Sequence, residues 1–201
     1  QVLDYAILVI NGADGVQGHT RTLWRLLKRY QIPTFIFINK MDQMGTDKTK
    51  VLADLQNRLD EGCIDFSEIT EETYDSLAMC DEKAIEEYLE SEKIEEDTIA
   101  EIIGNRKVYP CYFGSALKME GVQEFMDGMT AYVEKNEQIN STDTNTSNFG
   151  AKVFKISRDP AGSRLTYLKV TSGTLKVKDT LTGIAGKQQS KKESDLAQDR
   201  S

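Results

Sequence analysis

The run Phe35-Ile36-Phe37-Ile38 constrains this chain most, because four large apolar residues in succession stop abruptly at Asn39-Lys40-Met41-Asp42. With no polar alternation, Pro33 before it and turn-rich sequence after it, the run predicts a strand buried on both faces, as in a parallel sheet covered by helices. Open parallel sheets take their ligands just past the carboxyl ends of such strands. Asn-Lys-x-Asp at that place suits guanine. A fixed carboxylate at Asp42 accepts two hydrogen bonds from adjacent N–H donors on a flat ring, which guanine offers along its N1 and N2 edge and adenine does not. Asn39 can brace the loop and reach the far side of the ring, and the aliphatic stem of Lys40 can lie across its plane. A site built on such polar partners rejects a ring that lacks them by roughly 10⁴ or more. Asn39 and Asp42 would also serve as a plain turn after a strand; the strand before, the helix pattern after and a matching element downstream favour a ligand.

The flanking segments supply the rest of the sheet. Val2 to Ile10 ends in an apolar run and predicts another buried strand, followed by turn residues Asn11-Gly12-Ala13-Asp14-Gly15. Residues 18–30 carry helical spacing at Leu23, Leu26, Leu27 and Tyr30, with Arg and Lys opposite. Strand, helix and strand then form a right-handed parallel β-α-β unit. Thr46 and Asp47 open the next helix, with Val51, Leu55 and Leu59 on one side. Val108 to Phe113 predicts a third strand, where Pro110 points to an edge position or a bulge. Ser115-Ala116-Leu117 follows it. A tight turn there presents backbone N–H groups, that of Ala116 first, toward a carbonyl such as guanine O6, with Leu117 over the ring face. A helix from about Val122 to Glu134 turns Val122, Phe125, Met126, Met129 and Val133 inward.

Charge divides the chain. Residues 60–102 carry 17 acidic and 2 basic side chains, and residues 150–201 carry 5 acidic and 11 basic ones, within a net charge of −8. The acidic stretch reads as an insertion of short helices at about 63–106, solvated and lying over the sheet outside its core, with apolar faces at Ile85 and Leu89 and at Ile99, Ile102 and Ile103. The basic stretch is compatible with RNA phosphate nearby. Three cysteines without CxxC spacing and the single His19, placed near a helix start, give no disulfide pattern, no structural zinc and no histidine-centred catalysis. No apolar run approaches membrane-spanning length.

Residues 138–148 are rich in Asn, Ser and Thr and read as a linker. Beyond it, strands are expected at 152–156, 164–170 and 175–177, joined by tight turns, as at the opening of an antiparallel barrel. After Gly186 little remains to bury, which reads as a flexible tail.

Taken together, Asp14-Gly15-Val16-Gln17 with Thr20-Arg21, Asn39-Lys40-Met41-Asp42-Gln43, Phe113-Gly114-Ser115-Ala116 and Ser172-Gly173-Thr174-Leu175 make the chain resemble a translational GTPase of the elongation factor G branch. Within that branch it is most similar to the tetracycline-resistance ribosomal protection proteins. The resemblance runs from residue 1 to about residue 183. It implies an α/β fold: a partial P-loop-type G domain over residues 1–137, mostly parallel sheet with flanking helices, then part of an antiparallel β-barrel over 149–201. It further implies GTP or GDP as ligand, bound through Asn39, Lys40 and Asp42 and through Ser115, Ala116 and Leu117. Mg²⁺ would belong to the intact protein only, with the ribosome as partner and the cytoplasm as its place.

The chain also departs from that pattern. It contains no GxxxxGK[ST] loop and no Asp-x-x-Gly placed to hold magnesium and position water. The expectation is therefore a fragment that keeps the base pocket, lacks the chemistry, and exposes the edge of its 2–10 strand to self-association. The competing reading is a non-enzymatic α/β binding module in which residues 39–42 are a capped turn. Upstream coding sequence with a phosphate loop would decide against it.

Overall fold

A computed structural model of the chain describes residues 2–141 and 149–177, which fall into two compact units dividing near residue 143. In the first, β1 (Ala6–Asn11), β2 (Thr34–Asn39), β3 (Cys63–Asp65) and β4 (Tyr109–Phe113) make a parallel sheet in the order β1-β2-β4-β3. Helices α1 (Gly18–Tyr30) and α2 (Lys48–Arg58) pack on one face. Helices α3 (Glu71–Ala78), α4 (Glu82–Ser91), α5 (Glu96–Gly104) and α6 (Val122–Ser141) lie on the other.

Strand β2 explains its own composition. Phe35 and Phe37 enter the core shared with Leu77, Ile99, Ile103 and Phe125, whereas Ile36 and Ile38 enter the opposite core with Trp24, Val51 and Leu55. Because side chains alternate across a strand, an uninterrupted apolar run is what two cores require. The next helix starts where expected, since Asp47 caps α2 by accepting the Lys50 amide.

Several expectations are corrected. β1 is not buried on both faces: Leu8 and Ile10 are covered, but Ile7 and Val9 are 47% and 59% exposed, because β1 ends the sheet and only one of its faces meets helices. On α1 the buried residue is Trp24, with Leu27 partly buried beside it as expected, while Leu23, Leu26 and Tyr30 remain exposed. The helix turns to seat its largest ring, whose indole N–H donates to the Leu59 carbonyl at 3.0 Å and which meets Tyr109 edge-on with ring centroids 4.6 Å apart. β4 is interior rather than an edge. Its amides alternate sides, Tyr109 donating to Gly62 and Gly114 to Ile38, so residue 110 faces β2. The β2 ladder begins only at Cys111, so the donor that proline lacks falls at the start of that ladder and shortens it without interrupting it.

The acidic stretch is also more than a cover. It opens with β3, which pairs with β4, and its Phe66, Leu77, Ile94, Ile99, Ile102 and Ile103 build a core layer against Phe35 and Phe37. Its charges line the solvent side, as their number suggests, but the apolar residues between them are at helical spacing and close the sheet. In α4 the buried residue is Ala84, and Ile85 and Leu89 are exposed. Helix α6 buries Phe125 but leaves its neighbour Met126 exposed, and it continues to Ser141, past the expected start of the linker at 138.

The second unit contributes β5 (Gly150–Arg158) and β6 (Arg164–Ser172), an antiparallel pair. The sequence Asp159-Pro160-Ala161-Gly162 forms their connecting turn, closed by the Asp159 amide donating to the Ser163 carbonyl at 2.9 Å and by Gly162 at φ +88°. Residues 174–177 do not form the expected third strand. The remaining linker and tail expectations fall at 142–148 and 178–201, outside the described residues. The expected fold class holds: a mostly parallel sheet with flanking helices precedes antiparallel strands. Among the described residues no helix is long and apolar enough to cross a membrane.

Candidate functional site

The loops that leave β2 and β4 lie side by side, because these strands are neighbours and parallel. Their ladder continues past the strand ends: Gly114 donates to the Ile38 carbonyl at 2.9 Å, and Met41 donates back to the Gly114 carbonyl at 3.0 Å. Residue 114 must be glycine here, since an added Cβ would stand 2.1 Å from the Glu120 carbonyl oxygen. From behind, Gly12 donates to the Asn39 carbonyl at 2.8 Å and allows the β1–α1 connection to touch Met41.

Within the first loop, the Asn39 carboxamide oxygen accepts from the Lys40 amide at 2.8 Å and from the Ala116 amide, 77 residues away, at 2.9 Å. Lys40 takes a left-handed conformation at φ 65°, which a non-glycine residue holds only when its surroundings fix it, and its side chain is exposed. The Thr46 hydroxyl bonds to the Met41 and Gln43 carbonyls, both at 2.8 Å, and closes the loop onto α2.

In the second loop Ser115 is buried at 1% exposure and pairs with Glu120 through both its amide and its carbonyl. Its side chain hydrogen-bonds the Asp42 carboxylate. That bond is the main cause holding Asp42 below the usual carboxylate range; partial desolvation opposes it and the charge of Lys118 adds to it. The Lys118 ammonium lies 3.4 Å from Asp42 Oδ2, with side chains 51% and 22% exposed respectively. Asp42 is therefore ionised at neutral pH and presents an acceptor at the mouth of the site.

The structure thus brings Asn39, Asp42, Ser115 and Ala116 together, with Lys40 and the 93% exposed Leu117 standing in solvent beside them. One detail differs from expectation. The Ala116 amide does not point into an open slot but donates to Asn39, the nearest strong acceptor on the adjoining loop. Lys118 and Thr46 join the site without a signal in the sequence for that role. In the sequence Thr46 signals only a helix start, and no local pattern connects position 118 to position 42.

The family profile for the elongation factor Tu GTP-binding domain matches residues 1–135. The tetracycline resistance protein TetW of Butyrivibrio fibrisolvens is 33% identical over 207 residues, covering 94% of this chain and 31% of that protein. A crystal structure of a Thermus thermophilus protein shares the fold with a TM-score of 0.67 and 22% identity, over 94% of this chain and 34% of that one. The chain thus spans about a third of the length of these relatives.

Proposed function

The chain belongs to the family of the elongation factor Tu GTP-binding domain, and from that premise we propose that it carries the guanine-recognition half of a ribosome-associated translational GTPase. The type is that of elongation factor G or of the tetracycline-resistance ribosomal protection proteins, the latter favoured by the likeness to TetW. The observation that carries this reading is the backbone pairing of Gly114 with Ile38 and of Met41 with Gly114, because it holds the two loops as one recognition surface at the carboxyl ends of parallel strands.

The donors and acceptors present fit the base. Ionised Asp42 accepts from the guanine N1–H and its 2-amino group, and Ser115 fixes the carboxylate's orientation. Asn39 offers its amide N–H₂ to the ring nitrogen on the far side. The Lys40 stem and Leu117 cover the two ring faces, and Ala116 N–H turns to guanine O6 when the base displaces its bond to Asn39. GTP or GDP supplies the phosphates and Mg²⁺ joins in the intact protein, which would act in the cytoplasm.

This chain by itself has no GxxxxGK[ST] loop, so it should not hydrolyse GTP and should hold a nucleotide through the base alone. Titration followed by ¹H–¹⁵N NMR should show guanosine, and not adenosine, shifting the amides of residues 39–42 and 115–118. Calorimetry with GDP should give an affinity weaker than micromolar. Equal responses to the two nucleosides would overturn the base assignment, and sub-micromolar GDP binding would overturn the weak-binding expectation.

β1 is the terminal strand of the described sheet, and its outer row of backbone donors and acceptors supports self-association through that edge, with Ile7 and Val9 exposed on the adjoining face. Light scattering at rising concentration should show a growing average mass; an unchanged monomer would refute it.

A further inference from the structure

We propose that Lys118 is an affinity-setting residue of this site, a resident counter-ion of Asp42 with which an incoming guanine must compete. The inference rests on the reading of Asn39 to Asp42 as the guanine loop. The Lys118 ammonium stands 3.4 Å from Asp42 Oδ2, while the Ser115 side chain already bonds the same carboxylate. A guanine edge needs both carboxylate oxygens in a bidentate arrangement, so it meets a group whose negative charge is partly answered before it arrives.

The backbone at Lys118 is fixed independently of that contact. Its amide donates to the Ser115 carbonyl at 3.1 Å, and the Ser115–Glu120 pairing encloses it. Only the side chain must move, and it is half exposed. The 3.4 Å separation is longer than the 2.7–2.9 Å of a strong charge-assisted hydrogen bond. Lys118 therefore acts as a displaceable cover, and its effect is that of an exposed ion pair.

Neutral guanosine isolates this effect, because it brings no phosphate of its own for salt to screen. Raising the salt concentration weakens the exposed Lys118–Asp42 pair and should tighten guanosine binding to the unaltered 201-residue chain by roughly 2–5-fold. Lys118→Met should bind guanosine about 2–5-fold more tightly at low salt and lose the salt dependence, while Lys118→Arg should retain it. NMR titration of the three proteins at two salt concentrations, with amide spectra confirming that each is folded, reads these changes. Weaker guanosine binding by Lys118→Met, or binding that neither salt nor the substitution alters, would overturn the role of Lys118 and leave the guanine site standing. Failure of guanosine to bind the unaltered chain at either salt concentration would overturn both.

Discussion

Asp42→Asn should lower guanosine affinity by about 10²-fold, the loss that follows when a charged hydrogen-bonding partner is removed from a paired site. A carboxylate offers only acceptors, and guanine's N1–H and 2-amino group are both donors. A carboxamide in the same place turns one N–H₂ toward another and keeps a single acceptor. Xanthine carries a carbonyl oxygen where guanine carries the amine, so the same substitution should improve xanthosine binding relative to guanosine. That inversion shows the pocket to be intact, which loss of binding alone would not. Because Ser115 holds Asp42 below the usual carboxylate range, guanosine binding should stay constant from neutral pH downward until the carboxyl protonates, and then be lost. The measurement is a paired nucleoside titration by NMR. An unchanged preference for guanosine would show that Asp42 does not read the base.

Trp24→Ala should destabilise the first unit by about 3–5 kcal/mol, the usual consequence of emptying a buried aromatic site. Trp24 joins three elements at once. It projects from α1, donates to Leu59 just beyond α2 at 3.0 Å, and packs edge-on against Tyr109 of β4 at 4.6 Å. Against a total stability of about 5–15 kcal/mol, such a loss should lower the melting temperature by about 10 °C or more. Trp24→Phe should recover most of it and leave a deficit of about 1 kcal/mol for the missing indole hydrogen bond. Thermal melts followed by circular dichroism test both variants. A Trp24→Ala protein melting with the unaltered chain would show that the α1 contact contributes little.

Much of the site was legible because its parts are local. A run of four apolar residues admits few structures other than a doubly covered strand, and the groups at 39–42 follow it without an intervening turn. Asp47 announces α2 in the same way, through one side chain three residues from the amide it caps. The failures share the opposite property. The sequence does not single out Trp24, because helical spacing defines a stripe but not which of its edges meets the sheet. Pro110 points to an edge because it lacks a donor, but it stands at the start of the β2–β4 ladder, a placement that depends on a strand far earlier in the chain. The acidic segment hid its apolar layer because charge counts describe the surface, whereas Ile99, Ile102 and Ile103 are placed by what they cover.

By itself the sequence determined which chemical groups stand at the ends of the strands, because those groups are contiguous with the strands that carry them. It set an amide, a cation and a carboxylate after β2, and a serine turn after β4. Only the tertiary structure decided that β4 lies directly beside β2, that Ala116 donates to Asn39, and that Lys118 covers Asp42. Strand order and pairings between distant residues follow from how two cores close around one sheet, and that balance involves many residues at once.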